Sequence, residues 1–443
     1  MRKVVGKYIN TDNYRDLFVK CILLSFVAYL LIAICTGGRG FSFIFYKENK
    51  DAFMDFFNSV RIGSWKTEAY TTSVEYEVSG MTATDGKVIY PPMAGIFFLL
   101  ISKITPSEYN QMTYPDRYSW VKYPVNIVII SVFAIVSAAL LGFIIYKSLK
   151  IEKKQKLLFT FVAICSVPVL NMIERGNIMT FAFAGLLIYM ATYDSKKFAV
   201  RELGIIALAF SFSLKLYPIM FAWILIGDKR YKEFFRCALY SLALLIIPSF
   251  AFGGPSIFIQ IVKNIMSFSS GDNNAMAQIS KVVGIPYGLI SISTYVLFFL
   301  VALCFVIAPF MGRERWKVWM IGCVAFLTYP ALSTTYAWAL FIMPVIFLCN
   351  DGLSDSWKEN KWNKGYLIPL IIPFLFLPIS ITGIIFTFVP SLVGKMNTIA
   401  VTINAAAVYA VIAFLAFYTV IETVTLLIKM KKEKSLNKKG LSQ

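Results

Sequence analysis

The chain has 443 residues, of which 58% are hydrophobic and 16% aromatic, and its mean hydropathy is +0.69. This composition is typical of a polytopic membrane protein and excludes a soluble domain of useful size between the apolar segments. The net charge of +19 comes from short basic clusters, a pattern that indicates topology signals and contacts with anionic lipids rather than a nucleic-acid partner. Histidine is absent, and none of the seven cysteines lies in a Cys-x-x-Cys pair, so neither a metal site nor a disulfide framework is predicted.

The basic clusters predict which loops face the cytoplasm. Under the positive-inside rule all of them lie inside, together with both termini. The clusters fall at 147–156, 196–201, 229–236, 313–317, 358–364 and in a basic cytoplasmic tail at 429–443. The apolar segments predicted to span the membrane are 17–35, 123–147, 157–172, 177–193, 237–253, 286–310, 316–335, 336–350, 366–389 and 398–428.

Two further apolar segments do not fit a simple count of spans. The segment 93–104 has about 12 apolar residues, fewer than the roughly 20 that a membrane helix needs, so a juxtamembrane or re-entrant helix is predicted. The segment 203–226 has basic clusters at both ends and is interrupted at 213–218. A hairpin of two short helices keeps both ends inside, whereas a single helix would violate the charge rule. With the hairpin, the prediction is a single all-α membrane domain over 1–443 with about twelve helices.

The long polar loop 36–122 is the first candidate for an active site, because loops between membrane helices are usually short. Here Asp55 precedes Phe56-Phe57, which predicts an amphipathic segment resting on the membrane with its carboxylate at the water boundary. Such a carboxylate is suited to take a proton from a sugar hydroxyl, and the alternative is a helix-capping or solvated acid. The competing carboxylates are Asp51, Glu68, Glu75, Glu77 and Asp85.

Charged residues interrupt the apolar runs at two later places. The turn Glu174-Arg175-Gly176-Asn177 combines a charge pair with a helix-starting asparagine, and the guanidinium of Arg175 suits bidentate recognition of phosphate. A plain turn between helices is the alternative. Lys215 lies within an apolar stretch, where a lysine costs about 2.5–3.5 kcal/mol on insertion scales. A lipid phosphate, a carboxylate of a neighbouring helix or a snorkelling route would offset that cost.

Taken in order, these motifs resemble the GT-C superfamily of integral-membrane glycosyltransferases, and most of all glycosyltransferase family 87, the polyprenyl-phosphate-mannose-dependent mannosyltransferase group. The similar segments are Asp55-Phe56-Phe57, Tyr90-Pro91-Pro92, Arg175-Gly176-Asn177, Leu214-Lys215-Leu216-Tyr217-Pro218 and a serine-containing junction from Leu332 to Pro344. Relatives often carry a histidine in that junction, where this chain has Thr335-Tyr336.

The resemblance implies a GT-C-like bundle with an extracytoplasmic first loop that carries juxtamembrane helices. It also implies an inverting, metal-independent transfer without a cofactor. The sugar, mannose by the family default, would pass from a polyprenyl-phosphate donor to a hydroxyl of a glycolipid or glycan acceptor, at the outer face of the cell membrane and among its lipids. Asp55 would be the general base, and Lys215 and Arg175 would bind the donor phosphate. The remaining candidates would bind substrate and are Tyr90, Asn177, Tyr217 and Tyr336.

Two other functional classes share part of this pattern. A transporter or flippase for lipid-linked sugars also uses a charged cavity, but it often shows an internal repeat with paired broken helices, and no convincing repeat is visible in this sequence. A polysaccharide polymerase shares the many helices, but its large loop usually comes late in the chain, whereas this loop follows the first span.

Overall fold

The computed structural model describes residues 11–35, 52–71, 74–78, 81–85, 88–111, 116–269, 284, 286–329, 335–351, 362–376 and 396–440. Its regular structure is almost entirely helical, as predicted, because a bilayer offers no partners to free backbone N–H and C=O groups. The first nine helices are α1 (Thr11–Cys35), α2 (Met54–Gly63), α3 (Glu68–Thr71), α4 (Pro92–Ser102), α5 (Ser107–Asn110), α6 (Pro124–Ser148), α7 (Lys153–Ile164), α8 (Val167–Glu174) and α9 (Met179–Thr192). The later helices are α10 (Phe198–Leu214), α11 (Trp223–Gly227), α12 (Tyr231–Ser249), α13 (Ser256–Ser269), α14 (Tyr287–Ile307), α15 (Arg315–Thr328), α16 (Ile342–Asp351), α17 (Asn363–Ile371) and α18 (Met396–Gly440). Short 3₁₀ helices lie at Asp116–Lys122, Tyr217–Ala222, Phe250–Phe252, Ala308–Met311, Thr335–Phe341 and Ile372–Phe374.

The loop after α1 also contains a small antiparallel hairpin, which the sequence analysis did not predict. Strand β1 (Val74–Val78) pairs with β2 (Met81–Asp85), so that Val74 lies opposite Asp85. Just outside the hairpin, the backbone N–H of Val88 donates to the carbonyl of Ala69 at 3.0 Å. This hydrogen bond closes the base of the hairpin two residues before Tyr90.

Within the described ranges, four helices are long and apolar enough to cross a membrane: Pro124–Ser148, Tyr231–Phe252, Tyr287–Met311 and Ala410–Glu433. The pair α7 and α8, bent by 55°, makes a fifth if it is counted as one span. Pro168 explains the bend, because it has no N–H for the carbonyl of Ile164 and therefore interrupts a continuous helix. The predicted count of about twelve spans is not confirmed.

Several predicted spans are shorter helices instead. The apolar helices of 10–17 residues are Pro92–Ser102, Met179–Thr192, Tyr217–Gly227, Ser256–Met266 and Tyr336–Asn350. At about 1.5 Å per residue, none of these reaches the roughly 30 Å of a hydrocarbon core. The segment 93–104, predicted to be too short to cross, is accordingly the 11-residue helix α4. Most of the predicted span 366–389 lies outside the described residues.

Ion pairs connect several helix ends at one end of the molecule. The hydroxyl of Tyr193 donates to Asp228 Oδ2 at 2.8 Å, and Arg201 Nε donates to Glu233 Oε1 at 3.3 Å. Arg315 Nη1 lies 2.7 Å from Asp194 Oδ1. We call this region the ion-pair end, and its residues are Tyr193, Asp194, Arg201, Glu202, Asp228, Arg230, Glu233, Arg236 and Arg315. Three predicted cytoplasmic clusters therefore meet on one side.

The same contacts show that the segment 198–227 is a hairpin. Arg201 lies in the first turn of this segment, and Asp228 directly follows the last residue of the segment. Both residues belong to the ion-pair end, so the segment starts and finishes there. The chain reverses at Lys215, whose backbone is extended with φ −146° and ψ 128°. Pro218 prevents α10 from continuing, because it has no N–H for the carbonyl of Leu214. Of the two alternatives left open by the sequence, the two-helix hairpin is the observed one.

The centre of the bundle is α15, in which every residue from Trp316 to Thr328 is buried. It packs against α14, α16 and α18, and Trp319 stacks on Phe221 with ring centroids 5.0 Å apart. A helix that is apolar on nearly all sides is buried either in protein or in lipid, and the burial of every residue from Trp316 to Thr328 shows that protein surrounds α15. The helices that carry the candidate site are therefore held against a rigid core.

One buried ion pair ties α15 to α18. Lys317 Nζ lies 2.6 Å from Glu422 Oε1, and the hydroxyl of Tyr366 donates to Glu422 Oε2 at 2.6 Å. Glu422 has no exposed surface, and Arg313 Nη1 lies 3.7 Å from its second oxygen. We call these four residues the Glu422 cluster. A buried carboxylate of this kind requires its cations, since removing one partner leaves an uncompensated charge.

Candidate active site

The seven candidate residues come together at the end of the bundle opposite the ion-pair end. Helix α9 starts here and finishes at Tyr193, and α10 starts near Arg201 and finishes here. We call this region the site end. Its residues are Asp55 in the first turn of α2, Tyr90 before α4, Arg175 and Asn177 between α8 and α9, Lys215 after α10, Tyr217, and Tyr336 in the 3₁₀ helix before α16.

Asp55 is held by both predicted residues of the α8–α9 turn. Arg175 Nη2 donates to Asp55 Oδ1, and Asn177 Nδ2 donates to Asp55 Oδ2 at 2.8 Å. The side chains of Asp55 and Arg175 are 24% and 18% exposed, so the pair is reachable from outside although it lies inside the bundle. Because a carboxylate has about four lone-pair positions, Asp55 keeps acceptor capacity for a further hydroxyl.

Local backbone geometry brings Asp55 to this turn. The N–H of Phe53 donates to the carbonyl of Glu174 at 3.0 Å, which joins the start of α2 to the end of α8. Gly176 has φ +61°, and a Cβ at this position would lie 2.5 Å from the Cβ of Phe56. Only glycine combines that backbone conformation with so close an approach. Asn177 Oδ1 accepts the N–H of Met179 at 3.0 Å and so caps α9 while its amide binds Asp55.

The aromatic pair after Asp55 corrects one sequence expectation. Phe56 and Phe57 have no exposed surface and do not rest on the membrane. Phe56 packs against Phe133 at 5.0 Å between ring centroids, and Phe57 stacks on Trp120 at 4.9 Å. They anchor α2 in the protein. The sequence pattern does not distinguish this packing from a contact with the membrane, because a protein interior is as apolar as lipid.

Lys215 is held by an aromatic ring. Its Nζ lies 4.3 Å from the ring centroid of Tyr90, a cation–π contact. Among the described residues no carboxylate oxygen lies within the 4.0 Å of an ion pair, and the charge that acts on it is that of Asp55. The ammonium is thus oriented by Tyr90 and keeps its N–H donors for an incoming anion.

Tyr90 is placed by the helix that follows it and faces the acidic side of the site. Pro91 and Pro92 come directly after it and start α4, where a missing N–H has no cost. Burial raises the pKa of the Tyr90 phenol well above its usual value, and the nearby carboxylate of Asp55 raises it further. The phenol therefore stays neutral and is able to donate a hydrogen bond.

Two further tyrosines line the other side of the site. The ring of Tyr217 stacks on Phe326 with centroids 3.8 Å apart, and its hydroxyl contacts the sulfur of Met179. Tyr336 lies near both Tyr90 and Tyr217. It occupies the junction where relatives often have a histidine.

Four of the five competing carboxylates are described, and they lie elsewhere on the loop. Glu68 is exposed at the start of α3. Glu75, Glu77 and Asp85 lie on the β-hairpin, and Asp51 lies outside the described residues. Within the part of the chain that the structure describes, no group of three His, Cys, Asp or Glu side chains could hold a metal ion.

Sequence reasoning missed Ser59 and a small cavity beside Tyr90. The hydroxyl of Ser59 donates to the carbonyl of Asp55 at 2.6 Å, a contact that its spacing of four residues on α2 could have indicated. The cavity lies between Ser59, Tyr70, Tyr90, Gly95 and Phe252. No sequence signal joins these residues, since they come from four separate elements.

The sequence profile of glycosyltransferase family 87 matches residues 89–330, which is more than half of the chain. The chain belongs to glycosyltransferase family 87. No curated protein and no solved structure gives a significant match. The predicted family is thus confirmed, and the chain is a membrane protein with a glycosyltransferase domain.

The family 87 match covers most of the site. The candidate residues inside it are Tyr90, Arg175, Asn177, Lys215 and Tyr217. Asp55 and Tyr336 lie outside the matched range. Their connection to the site comes from the hydrogen bonds of Asp55 and from the proximity of Tyr336 to two tyrosines of the matched range, Tyr90 and Tyr217.

Proposed function

We propose that this family 87 glycosyltransferase moves a sugar, mannose by the family default, from a polyprenyl-phosphate donor to a hydroxyl of a glycolipid or glycan acceptor. The proposal rests on one observation: a carboxylate and a cation that do not form an ion pair with each other both lie at the site end. Asp55 is a positioned carboxylate, and Lys215 is a cation without a carboxylate within ion-pair distance among the described residues. The transfer of a sugar from a sugar phosphate needs one group that accepts the proton of the acceptor hydroxyl and one group that stabilises the negative charge of the leaving phosphate.

The chemical step follows from these two charges. Asp55 takes the proton of the acceptor hydroxyl while that oxygen attacks the anomeric carbon. The bond between the anomeric carbon and the phosphate oxygen breaks, and the polyprenyl phosphate leaves with the electron pair. A single displacement of this kind inverts the anomeric configuration, and no cofactor takes part.

Arg175 has a more specific role in this proposal than in the sequence analysis. Its guanidinium binds Asp55 directly, so its first task is to orient the base. Lys215 is then the principal partner of the phosphate, and the positive charge of Arg175 adds to the same field. Tyr90, Asn177, Tyr217 and Tyr336 surround the space in which the sugar would lie.

The position of the site supports an extracytoplasmic reaction at the cell membrane. The ion-pair end gathers three of the basic clusters, at 196–201, 229–236 and 313–317, and such clusters face the cytoplasm under the positive-inside rule. The candidate residues lie at the other end. We therefore place the donor, the acceptor and the transfer on the outer side, with the lipid tail of the donor between helices.

The test is a transfer assay with purified protein, radiolabelled polyprenyl-phosphate sugars and a membrane lipid extract. We expect wild-type protein to label a lipid or glycan product, and Asp55→Asn to abolish labelling, because the change removes the base and hardly alters volume. Glu68→Gln, which neutralises an exposed acid of the same loop, is the matched control and should keep full activity. Wild-type turnover by Asp55→Asn would move the base to another residue and contradict the assignment.

A further inference from the structure

Helix α13 starts at the boundary of a membrane-crossing helix. The candidate span Tyr231–Phe252 begins at the ion-pair end and therefore finishes at the site end. Gly253 and Gly254 follow it with φ values of +102° and +96°, which lets the chain turn sharply away from the span. Helix α13 then begins at Ser256, four residues after the end of the span.

The inner face of α13 holds the loop that carries Tyr90. Ile257 and Ile261 are buried against Tyr70 and Phe252. The amide of buried Asn264 donates to the backbone carbonyls of Tyr70 and Val88, each at 3.0 Å. These two carbonyls lie on either side of the β-hairpin, and Val88 is two residues before Tyr90.

The outer face of α13 is apolar and solvent-accessible in the described part of the chain. Its exposed apolar residues are Phe258, Ile259, Val262 and Met266, with Ile259 62% and Met266 68% exposed. At 3.6 residues per turn these four positions form one stripe of about 100°, on the side of the helix away from Asn264. Lys263 lies exposed at the edge of this stripe.

The preceding span indicates what covers the stripe. Ile247 and Phe250, at its last turns, are exposed to the same degree, at 69% and 68%, and face lipid if the helix crosses the membrane. The stripe on α13 follows these residues in the chain, directly after the turn at Gly253-Gly254. A lysine at the edge of an apolar stripe is the arrangement of helices that lie in the membrane interface, since its stem packs on lipid while its ammonium reaches the headgroups.

We propose that α13 lies in the interfacial region of the bilayer, with its apolar stripe among the upper acyl chains and Lys263 at the lipid phosphates. Its opposite face then fixes the Tyr70 and Val88 backbone over the site end through Asn264. The bilayer surface thereby becomes a structural support for the segment that positions Tyr90. This inference does not depend on the reaction proposed above, because it concerns the contact with lipid alone.

The test uses the full-length protein in vesicles of phosphatidylcholine and phosphatidylglycerol. An environment-sensitive fluorophore is attached to Ile259→Cys or Met266→Cys after the seven native cysteines have been replaced. We expect strong quenching by lipids that carry a nitroxide on the upper acyl chain. Lys263→Cys is the matched control on the same helix, and its fluorophore should be quenched mainly by headgroup-labelled lipid. Fluorophores at positions 259 and 266 that are quenched by aqueous iodide and not by acyl-chain nitroxides would overturn the proposal.

A second measurement covers the case in which the cysteine-free protein does not fold. A photoreactive benzoylphenylalanine replaces Ile259 or Met266 in the native-cysteine chain, and illuminated vesicles are examined by mass spectrometry. Lipid adducts support the interfacial position. Crosslinks to a second copy or to another segment of this chain, without lipid adducts, would show that protein covers the stripe and would refute it.

Discussion

Two lysines inside the bundle, Lys317 near the ion-pair end and Lys215 at the site end, are held in opposite ways. Lys317 lies 2.6 Å from the buried carboxylate of Glu422, which also binds Tyr366. Lys215 lies over the ring of Tyr90, and in the described residues it has no ion pair. The first lysine is satisfied by the fold alone, whereas the second is oriented but not neutralised. An uncompensated cation in an apolar setting is costly, so its persistence indicates a partner that arrives from outside.

The largest difference between the two lysines should be a loss of stability in Lys317→Met. This change removes the nearest cation of the buried carboxylate of Glu422 and leaves it with Arg313 at 3.7 Å, so we expect the free energy of unfolding to fall by up to about 3–5 kcal/mol. Thermal unfolding in detergent measures it. Lys429→Met is the control, because Lys429 forms an exposed pair with Glu433 at 3.9 Å and its loss should change the free energy of unfolding by less than about 1 kcal/mol. Equal melting temperatures for Lys317→Met and wild type would show that the ion pair between Lys317 and Glu422 does not stabilise the fold.

The next effect is on catalysis and concerns Lys215→Met. We expect the transfer rate to fall by about 10²–10³-fold, the typical cost of losing one charged or hydrogen-bonding group that stabilises a transition state. The melting temperature should stay close to that of wild type, because no described carboxylate loses an ion pair. The transfer assay and the unfolding curve are measured on one preparation. A large loss of stability with residual activity in the surviving protein would make Lys215 structural and leave Arg175 as the main phosphate ligand.

A smaller effect should follow from Gly176→Ala, which sharpens the comparison by disturbing the site end without touching a charge. The left-handed backbone at φ +61° and the contact with Phe56 should together cost about 1–3 kcal/mol of stability, and the shift of the turn should lower the transfer rate. Gly142→Ala is the matched control. A Cβ there meets nothing closer than 3.7 Å in the interior of α6, so the change should stabilise the protein by about 0.5–1 kcal/mol. A stable, fully active Gly176→Ala protein would show that the turn tolerates another conformation.

Features of the site end and of the ion-pair end that depend on a single unusual residue can be predicted from the sequence. Lys215 stands out because a charge in an apolar run is costly, and Pro218 predicts the break beside it. Glu422 could have been found by the same argument, as a carboxylate within the predicted span 398–428. Arg313 and Lys317 lie in a short basic cluster that indicates topology, so the pattern does not predict that they bind Glu422.

Features that depend on distant contacts were not predictable in this way. Asp55 and Arg175 are 120 residues apart, and no local pattern indicates that they form a pair. The predicted number of spans is not confirmed, because hydropathy does not distinguish a helix buried in protein from one that crosses lipid. Phe56 and Phe57 show the same ambiguity at the level of single side chains.

The most direct test of the claim that Lys215 awaits the donor phosphate is ligand-induced stabilisation. Polyprenyl phosphate, the expected leaving group, is added to wild-type, Lys215→Met and Lys317→Met protein, and the melting temperature of each is measured with polyprenol, which has no phosphate, as the control ligand. A ligand that binds the folded state raises its stability by mass action. We predict that polyprenyl phosphate raises the melting temperature of wild type and of Lys317→Met, the latter from a lower starting value, and has no effect on Lys215→Met beyond that of polyprenol. An equal rise in Lys215→Met and wild type would contradict the account.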